Sequence, residues 1–145
     1  MDSVALLDVV KVVERHVARV APRVVYTHHP SDLNVDHNVV HRAVLTACRP
    51  LPGSSVERIL CFEVPSSSEW QALTAAPAFA PNWFNDVSAT LPLKLKALLA
   101  YASEMHPFPH PRSLEAVEHL ARWRGASAGF AAAEAFVLAR ARESA

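Results

Sequence analysis

Hydrophobic side chains recur along the first half of the chain at spacings typical of alternating helices and strands. Between residues 4 and 20 the apolar positions step by three and four, which predicts one amphipathic helix. A short β-branched run at 24–27 predicts a buried strand, and residues 37–47 return to helical spacing. Residues 58–64 then predict a second buried strand. The order is therefore helix, strand, helix, strand.

The second half of the chain is more interrupted. Residues 66–81 are rich in Ser, Ala and Pro, which indicates an excursion over the surface. Residues 85–88 fit a short strand or an extended lead-in. Two helices are predicted at 93–104 and 114–124, whereas 135–138 fits either a strand or a helix.

This succession predicts an α/β fold, a Rossmann-like parallel sheet with flanking helices. In such sheets ligands bind beyond the C-terminal ends of the strands. We therefore expect the chemistry of this chain in the loop that follows the strand at 24–27.

Composition narrows the class of protein. With 145 residues, 51% of them hydrophobic and 19% charged, residues 1–145 predict one globular domain. Lys and Arg number 14, as do Asp and Glu, so no net field favours nucleic acid as a partner. We find no signal peptide and no membrane span, and Cys48 and Cys61 lack the spacing of a redox or metal pair. A cytoplasmic protein is expected.

The loop after the first strand concentrates groups that can bind metal. It carries the imidazoles of His28, His29 and His37 and the carboxylates of Asp32 and Asp36. Imidazole and carboxylate are the ligands that zinc takes in hydrolytic sites. Histidines in polar loops are common, so composition alone makes this stretch only suggestive.

Three segments resemble one enzyme family in the same order along the chain. Residues 32–37, Asp-Leu-Asn-Val-Asp-His, resemble the second metal motif of PIG-L/LmbE-like zinc deacetylases. Residues 94–104 resemble that family's lysine-rich helix, and residues 124–136 resemble its closing segment. The resemblance spans most of residues 1–140 and corresponds to the C-terminal part of the family's domain.

The resemblance implies a role for individual residues. His37 would be a zinc ligand, and Asn34 would donate a hydrogen bond to an oxyanion. Asp36 would orient the loop or a neighbouring imidazole, although a helix N-cap is an equally good interpretation. His110 and Arg112 flank a proline-rich stretch. They could contact the sugar substrate that the resemblance implies, or they could belong to a rigid surface connection.

The chain also departs from the family pattern. The family's first motif, His-Pro-Asp-Asp-Glu, supplies two zinc ligands and the general base, and this sequence does not contain it. Since one predicted helix and one predicted strand precede His37, we expect the N-terminal βα unit to be missing. Residues 29–32, His-Pro-Ser-Asp, match that motif superficially, but Ser31 stands where the base would be. We interpret this match as fortuitous.

The resulting hypothesis is zinc-dependent de-N-acetylation of an N-acetylated sugar, a GlcNAc-type glycan precursor or a glycoconjugate. The alternative is a non-catalytic remnant or interaction module of the same fold. A third interpretation makes His29, Asp32 and His37 a self-contained metal site. A homo-oligomer or a complementing chain could supply what this chain lacks.

Overall fold

The structure, a computed structural model, describes residues 3–72 and 77–143. Residues 73–76 of the predicted surface excursion lie outside the described residues. The elements in chain order are α1 (Leu6–Val20), β1 (Val24–His28), α2 (Val35–Ala47), β2 (Arg58–Phe62), β3 (Trp83–Asp86), α3 (Leu91–Leu98), a 3₁₀ helix (Leu99–Glu104), α4 (Leu114–Ala126) and β4 (Ala133–Ala141).

The chain divides into two compact units. One contains the residues up to Ala80 together with those from Val137 onward, and the other is Pro81–Phe136. The first unit therefore holds α1, β1, α2, β2 and the last part of β4. The second holds β3, α3, α4 and the first part of β4.

The core of the first unit lies between β2 and its helices. Val44, Cys48, Val56 and Ile59 are its buried residues, and hydrophobic side chains of α1 and α2 pack against them. Full burial of side chains such as Ile59 contributes roughly 1.5–3 kcal/mol each. The helical spacing that predicted α1 and α2 thus reflects the faces that these helices bury.

Strands β1 and β2 form a parallel pair joined through α2. Their register runs from Val24 opposite Arg58 to His28 opposite Phe62. Because the two strands are parallel and in step, the loops that follow His28 and Phe62 leave the sheet at the same edge. This arrangement brings the predicted site loop beside a segment more than thirty positions away in the sequence.

The second unit is built around an antiparallel pair. Strand β3 pairs with the start of β4, from Trp83 opposite Phe136 to Asp86 opposite Ala133. Residues 133–141 are a strand, which decides between the two interpretations left open by the sequence. The helix predicted at 93–104 is in fact α3 followed by a 3₁₀ helix.

Helix α4 packs closely against other parts of the second unit. Leu91, Ala121 and Ala132 form its buried cluster. A Cβ at Gly125 would lie 2.6 Å from the Cα of Ala132, so only glycine allows this approach. The hydroxyl of Ser113 accepts from the amide of Ala116 and caps α4.

The strand order of the sheet is β1-β2-β4-β3. With helices flanking the sheet and α2 crossing between two parallel strands, the predicted Rossmann-like α/β class is confirmed. The sheet also contains an antiparallel pair, since β3 and β4 run in opposite directions. No helix among residues 3–72 and 77–143 has the length and apolar character needed to cross a membrane.

Candidate functional site

Two loops meet at the C-terminal edge of β1 and β2. Residues 29–34 connect β1 to α2, and residues 63–69 follow β2. The backbone N–H of Leu33 donates to the carbonyl of Ser67 at 3.3 Å, which ties one loop to the other. The predicted surface excursion therefore begins with a buried contact, since Ser67 is only 7% exposed.

Asp32 is the common acceptor of these loops, and its side chain is buried. Its Oδ1 accepts from the backbone N–H of Asn34 at 2.9 Å, from Nδ1 of His37 at 2.9 Å and from the hydroxyl of Ser67. Its Oδ2 accepts from the hydroxyl of Ser68 at 3.0 Å. We call these five residues the Asp32 network. Burial raises the pKa of the Asp32 carboxyl, but the four hydrogen bonds outweigh burial and hold that pKa below its usual value.

His37 lies in the first turn of α2, just beyond the C-terminal end of β1, which is the position predicted for it. A carboxylate can only accept, so Nδ1 of His37 carries the proton in its bond to Asp32. In the neutral ring Nε2 then keeps its lone pair. Histidines that bind metal commonly have such a carboxylate behind them. Its role as a zinc ligand stays a prediction.

Other imidazoles crowd the same edge. The ring of His28 stacks on that of His37 at 3.9 Å and 12°, and it also contacts Phe62. Burial, with the adjacent His37, lowers the pKa of His28. Nδ1 of His41 donates to the carbonyl of His28 at 2.8 Å. The lowered pKa of His28 favours its neutral imidazole, the form that binds metal.

The imidazole of His29 makes contacts of its own. Its Nδ1 accepts from the amide of Ser31 at 3.3 Å, so in the neutral ring Nε2 carries the proton. Its ring packs edge-on against Phe79. Across residues 3–72 and 77–143, no three His, Cys, Asp or Glu side chains converge in a group that could hold a metal ion. The self-contained site of His29, Asp32 and His37 is therefore not supported.

One of the two roles weighed for Asp36 belongs to Asn34. Asn34 is the N-cap of α2, and its Oδ1 accepts from the amide of Asp36 at 2.9 Å. The interpretation of Asp36 as the N-cap is wrong, because Asp36 lies inside the first turn of α2. Its negative charge there interacts favourably with the positive end of the helix dipole. The carboxylate that holds the His37 ring belongs to Asp32. Catalytic roles for Asn34 and Asp36 stay predictions.

His110 and Arg112 lie in the second unit, between the 3₁₀ helix and α4. Nδ1 of His110 accepts from the amide of Arg112 at 3.0 Å, and its ring lies 4.3 Å from that of His106. The guanidinium of Arg112 donates to Glu104 at 2.8 Å. These contacts fit the interpretation of a rigid connection, and sugar binding by His110 and Arg112 stays a prediction.

The residues that build the Asp32 network from outside the β1–α2 loop were not predicted from the sequence. Ser67 and Ser68 bind Asp32 from more than thirty positions away in the sequence. Asn38 donates through Nδ2 to the carbonyls of Asp32 and Asn34, at 2.6 and 2.8 Å. The available signal was the parallel pair itself, since two parallel strands place their following loops side by side.

The site fits one position of a zinc centre. His37 offers Nε2, and a buried carboxylate fixes its ring. A zinc centre takes three or four protein ligands. The described residues do not supply such a set, so the remaining ligands would have to come from elsewhere.

Solved structures share this Rossmann-like α/β architecture over nearly the whole chain. A conserved protein from Thermus thermophilus matches with a TM-score of 0.72 and 24% identity over 95% of this chain. The 4-carboxy-2-hydroxymuconate hydratase from Pseudomonas putida matches with a TM-score of 0.73 and 18% identity over 98% of this chain. At such identities the likeness concerns the fold.

A third structure is the N,N'-diacetylchitobiose deacetylase from Pyrococcus horikoshii in complex with an inhibitor. Its TM-score is 0.65, with 18% identity over 92% of this chain. The chain spans 61%, 62% and 51% of the lengths of these three structures, in the order given. No family model matches the sequence, and a search of curated proteins gives no match.

Proposed function

We propose that this chain forms part of a zinc-dependent de-N-acetylase, in which His37 is one of the metal ligands. The substrate would be an N-acetylated sugar of the GlcNAc type, free or in a glycoconjugate. The observation that carries the proposal is the hydrogen bond from Nδ1 of His37 to the buried carboxylate of Asp32, at the C-terminal edge of a parallel strand pair.

Two further findings support this proposal. Residues 32–37 resemble the second metal motif of PIG-L/LmbE-like deacetylases, with His37 at the position of the ligand. The fold is shared with a deacetylase that acts on N,N'-diacetylchitobiose. That enzyme's name suggests the class of substrate, an acetamido sugar.

Each residue of this chain would have a defined task. Zinc, when bound, would polarise the acetamide carbonyl and make water a stronger nucleophile at neutral pH. His37 would hold the metal through Nε2, while Asp32 keeps the ring in place. Asn34 would donate from its amide to the developing oxyanion. Asp36 would support the loop, and His110 and Arg112 would contact the sugar.

The alternative is a non-catalytic remnant or interaction module. It is favoured by the absence, among residues 3–72 and 77–143, of three converging ligand groups. The hydratase with the same fold also illustrates that this architecture serves different chemistries. A homo-oligomer or a complementing chain that adds ligands would complete the zinc centre and so favour the deacetylase over this alternative.

Equilibrium dialysis against Zn²⁺ tests the proposal. We expect the wild-type chain to bind zinc weakly, because one protein ligand leaves the ion mostly hydrated. The chain alone should release little amine from N-acetylglucosamine substrates. His37→Ala should remove the weak binding, whereas His110→Ala, the matched control in the second unit, should not. Zinc binding that is unchanged in His37→Ala would contradict the proposal.

A further inference from the structure

Two hydroxyl groups on the loop after β2 contact the carboxylate that holds His37. Ser67 donates to Oδ1 of Asp32 and Ser68 donates to Oδ2. We propose that Ser67 and Ser68 are positioning residues, which act through Asp32 to keep His37 in the tautomer that presents the Nε2 lone pair. The consequence for metal binding rests on the proposed function, whereas the consequence for the tautomer does not.

The direction of the Ser68 hydroxyl is fixed by its second contact. The backbone N–H of Val64 donates to Oγ of Ser68 at 2.7 Å, so this oxygen is already an acceptor. Its own hydrogen is then free to point at Oδ2 of Asp32, 3.0 Å away. A serine in this place can only be a donor to the carboxylate.

A short turn holds Ser67 and Ser68 against the site. The carbonyl of Val64 accepts from the amides of both serines, at 3.1 and 2.9 Å. The carboxylate of Glu69 accepts from the amides of Ser66 and Ser67, at 2.6 and 3.3 Å. Ser66 has a φ of 67°, a backbone conformation that these contacts support. The loop therefore presents its two hydroxyls in a defined direction.

The same contacts determine what Asp32 can do. Its carboxylate is 1% exposed and has protein donors at both oxygens. With the hydroxyls in place it is an ionised acceptor that cannot rotate away from His37. Nδ1 of His37 must then donate, and in the neutral ring Nε2 carries the lone pair. Without the hydroxyls, Asp32 would retain the amide of Asn34 and could turn or take up water.

A purely structural role of Ser67 and Ser68 would have different consequences when these residues are replaced. If the serines only satisfied a buried carboxylate, their loss would lower stability and leave the His37 ring unchanged. The imidazole tautomer therefore separates the two roles, because it reports the proton on Nδ1 and not the stability of the fold. It can be read without zinc or substrate.

The experiment is ¹⁵N NMR of the His37 ring in the labelled chain, at a pH where its imidazole is neutral. We expect the Nδ1–H tautomer to dominate in the wild type. Ser67→Ala and Ser68→Ala should each lower the ratio of the Nδ1–H to the Nε2–H tautomer by about tenfold, as expected for loss of a hydrogen bond to a charged group. Ser68→Thr keeps the hydroxyl and should restore the wild-type ratio.

Ser54→Ala is the matched control, because Ser54 lies in the loop before β2, at the other end of the strand. It should leave the tautomer ratio unchanged. Should Ser67→Ala fail to fold, Ser68→Ala and the wild-type ratio still test the inference. A wild-type His37 with Nε2–H, or a ratio that Ser68→Ala leaves unchanged, would overturn it.

A Zn²⁺ titration of the same samples separates this inference from the proposed function. Ser68→Ala should weaken Zn²⁺ binding by about tenfold, the effect typical of groups that hold a ligand in place. If the tautomer responds as expected but His37→Ala binds Zn²⁺ like the wild type, the positioning role stands and the proposed function fails. If the tautomer does not respond, the positioning role fails whatever the zinc result.

Discussion

Two histidine-rich segments of this chain look alike in sequence and differ in structure. Residues 28–41 contain a hydrogen-bond network around Asp32, which is 1% exposed and holds the His37 ring. In the second segment (residues 106–112), residues 106–109 are exposed, and the half-buried Arg112 pairs with an exposed Glu104. A high density of histidines therefore does not by itself identify a binding site.

What distinguishes the first segment is its place after a parallel strand. The register of β1 and β2 puts the loop that contains Asp32 beside the loop that contains Ser67. Hydrogen-bond donors from a distant part of the chain then surround one buried carboxylate. The second segment lies between helical elements. It makes local contacts, such as that of Arg112 with Glu104 eight residues earlier.

The largest expected effect concerns thiol reactivity next to the first segment. Burial raises the pKa of Cys61 to about 11. Its neighbour, Nδ1 of His41, donates to the carbonyl of His28 and so cannot serve as a base for the thiol. At pH 8 about one thiol in a thousand would be ionised, so a disulfide reagent should label native Cys61 more than about a hundredfold slower than urea-unfolded Cys61.

A cysteine introduced into the second segment provides the contrast. His106→Cys would place a thiol at an exposed position. It should react at a rate near that of an unfolded chain. Equal labelling rates for native Cys61 and for the introduced thiol would show that the first segment is not buried as described.

The next effect is on stability. Asp32→Ala would leave the hydroxyls of Ser67 and Ser68 and Nδ1 of His37 without their acceptor. We expect this to lower the free energy of unfolding by about 3 kcal/mol. Glu104→Ala removes the partner of Arg112 at an exposed pair and should change it by less than about 0.5 kcal/mol. Urea denaturation of both variants measures the two free energies of unfolding. Similar losses in the two variants would contradict the claim that Asp32 is a buried acceptor and Glu104 an exposed one.

A smaller effect is expected at the helix cap beside His37. Asn34→Ala removes the oxygen that accepts from the amide of Asp36, and should destabilise the chain by about 1 kcal/mol. Asn34→Ser can still cap and should remain close to wild type in thermal unfolding. In a zinc-loaded active protein, a fall in kcat of about 100-fold or more in Asn34→Ser, at wild-type stability, would assign the Asn34 amide to the oxyanion instead.

The smallest effect is expected in the second segment. Arg112→Ala removes an exposed ion pair and should change the midpoint of urea unfolding by an amount equivalent to less than about 0.5 kcal/mol. If Arg112 contacts the sugar, KM for an N-acetylated substrate should rise in the active protein while stability stays constant. Unchanged KM would remove Arg112 from the substrate-binding residues.

Local features of the fold could be predicted from the sequence. The helical spacing of apolar residues gave α1 and α2, and the β-branched run at 24–27 gave β1. The position of His37 at the start of a helix followed from this strand–loop–helix order. Each of these predictions depends on neighbours within a few positions.

Features that depend on distant partners could not be predicted. The apolar stretch at 135–138 has no clear periodicity, and pairing of its strand with β3 decides that it is a strand. Asp32 was considered only in a fortuitous match or a self-contained metal site. Its role as the acceptor behind His37 depends on donors from residues 67 and 68. Asp36 was a plausible N-cap, but the side chain of Asn34 accepts from the amide of Asp36 and takes this role instead.

The most direct test of the central claim is a Zn²⁺ titration of the ¹⁵N-histidine-labelled chain. We expect Nε2 of His37 to be the first ring nitrogen to respond, because Nδ1 is hydrogen-bonded to Asp32. The rings of His106 and His110 should respond only at higher Zn²⁺ concentrations. A first response at His106 or His110, or at Nδ1 of His37, would contradict the claim that the β1–α2 loop presents a preformed metal ligand.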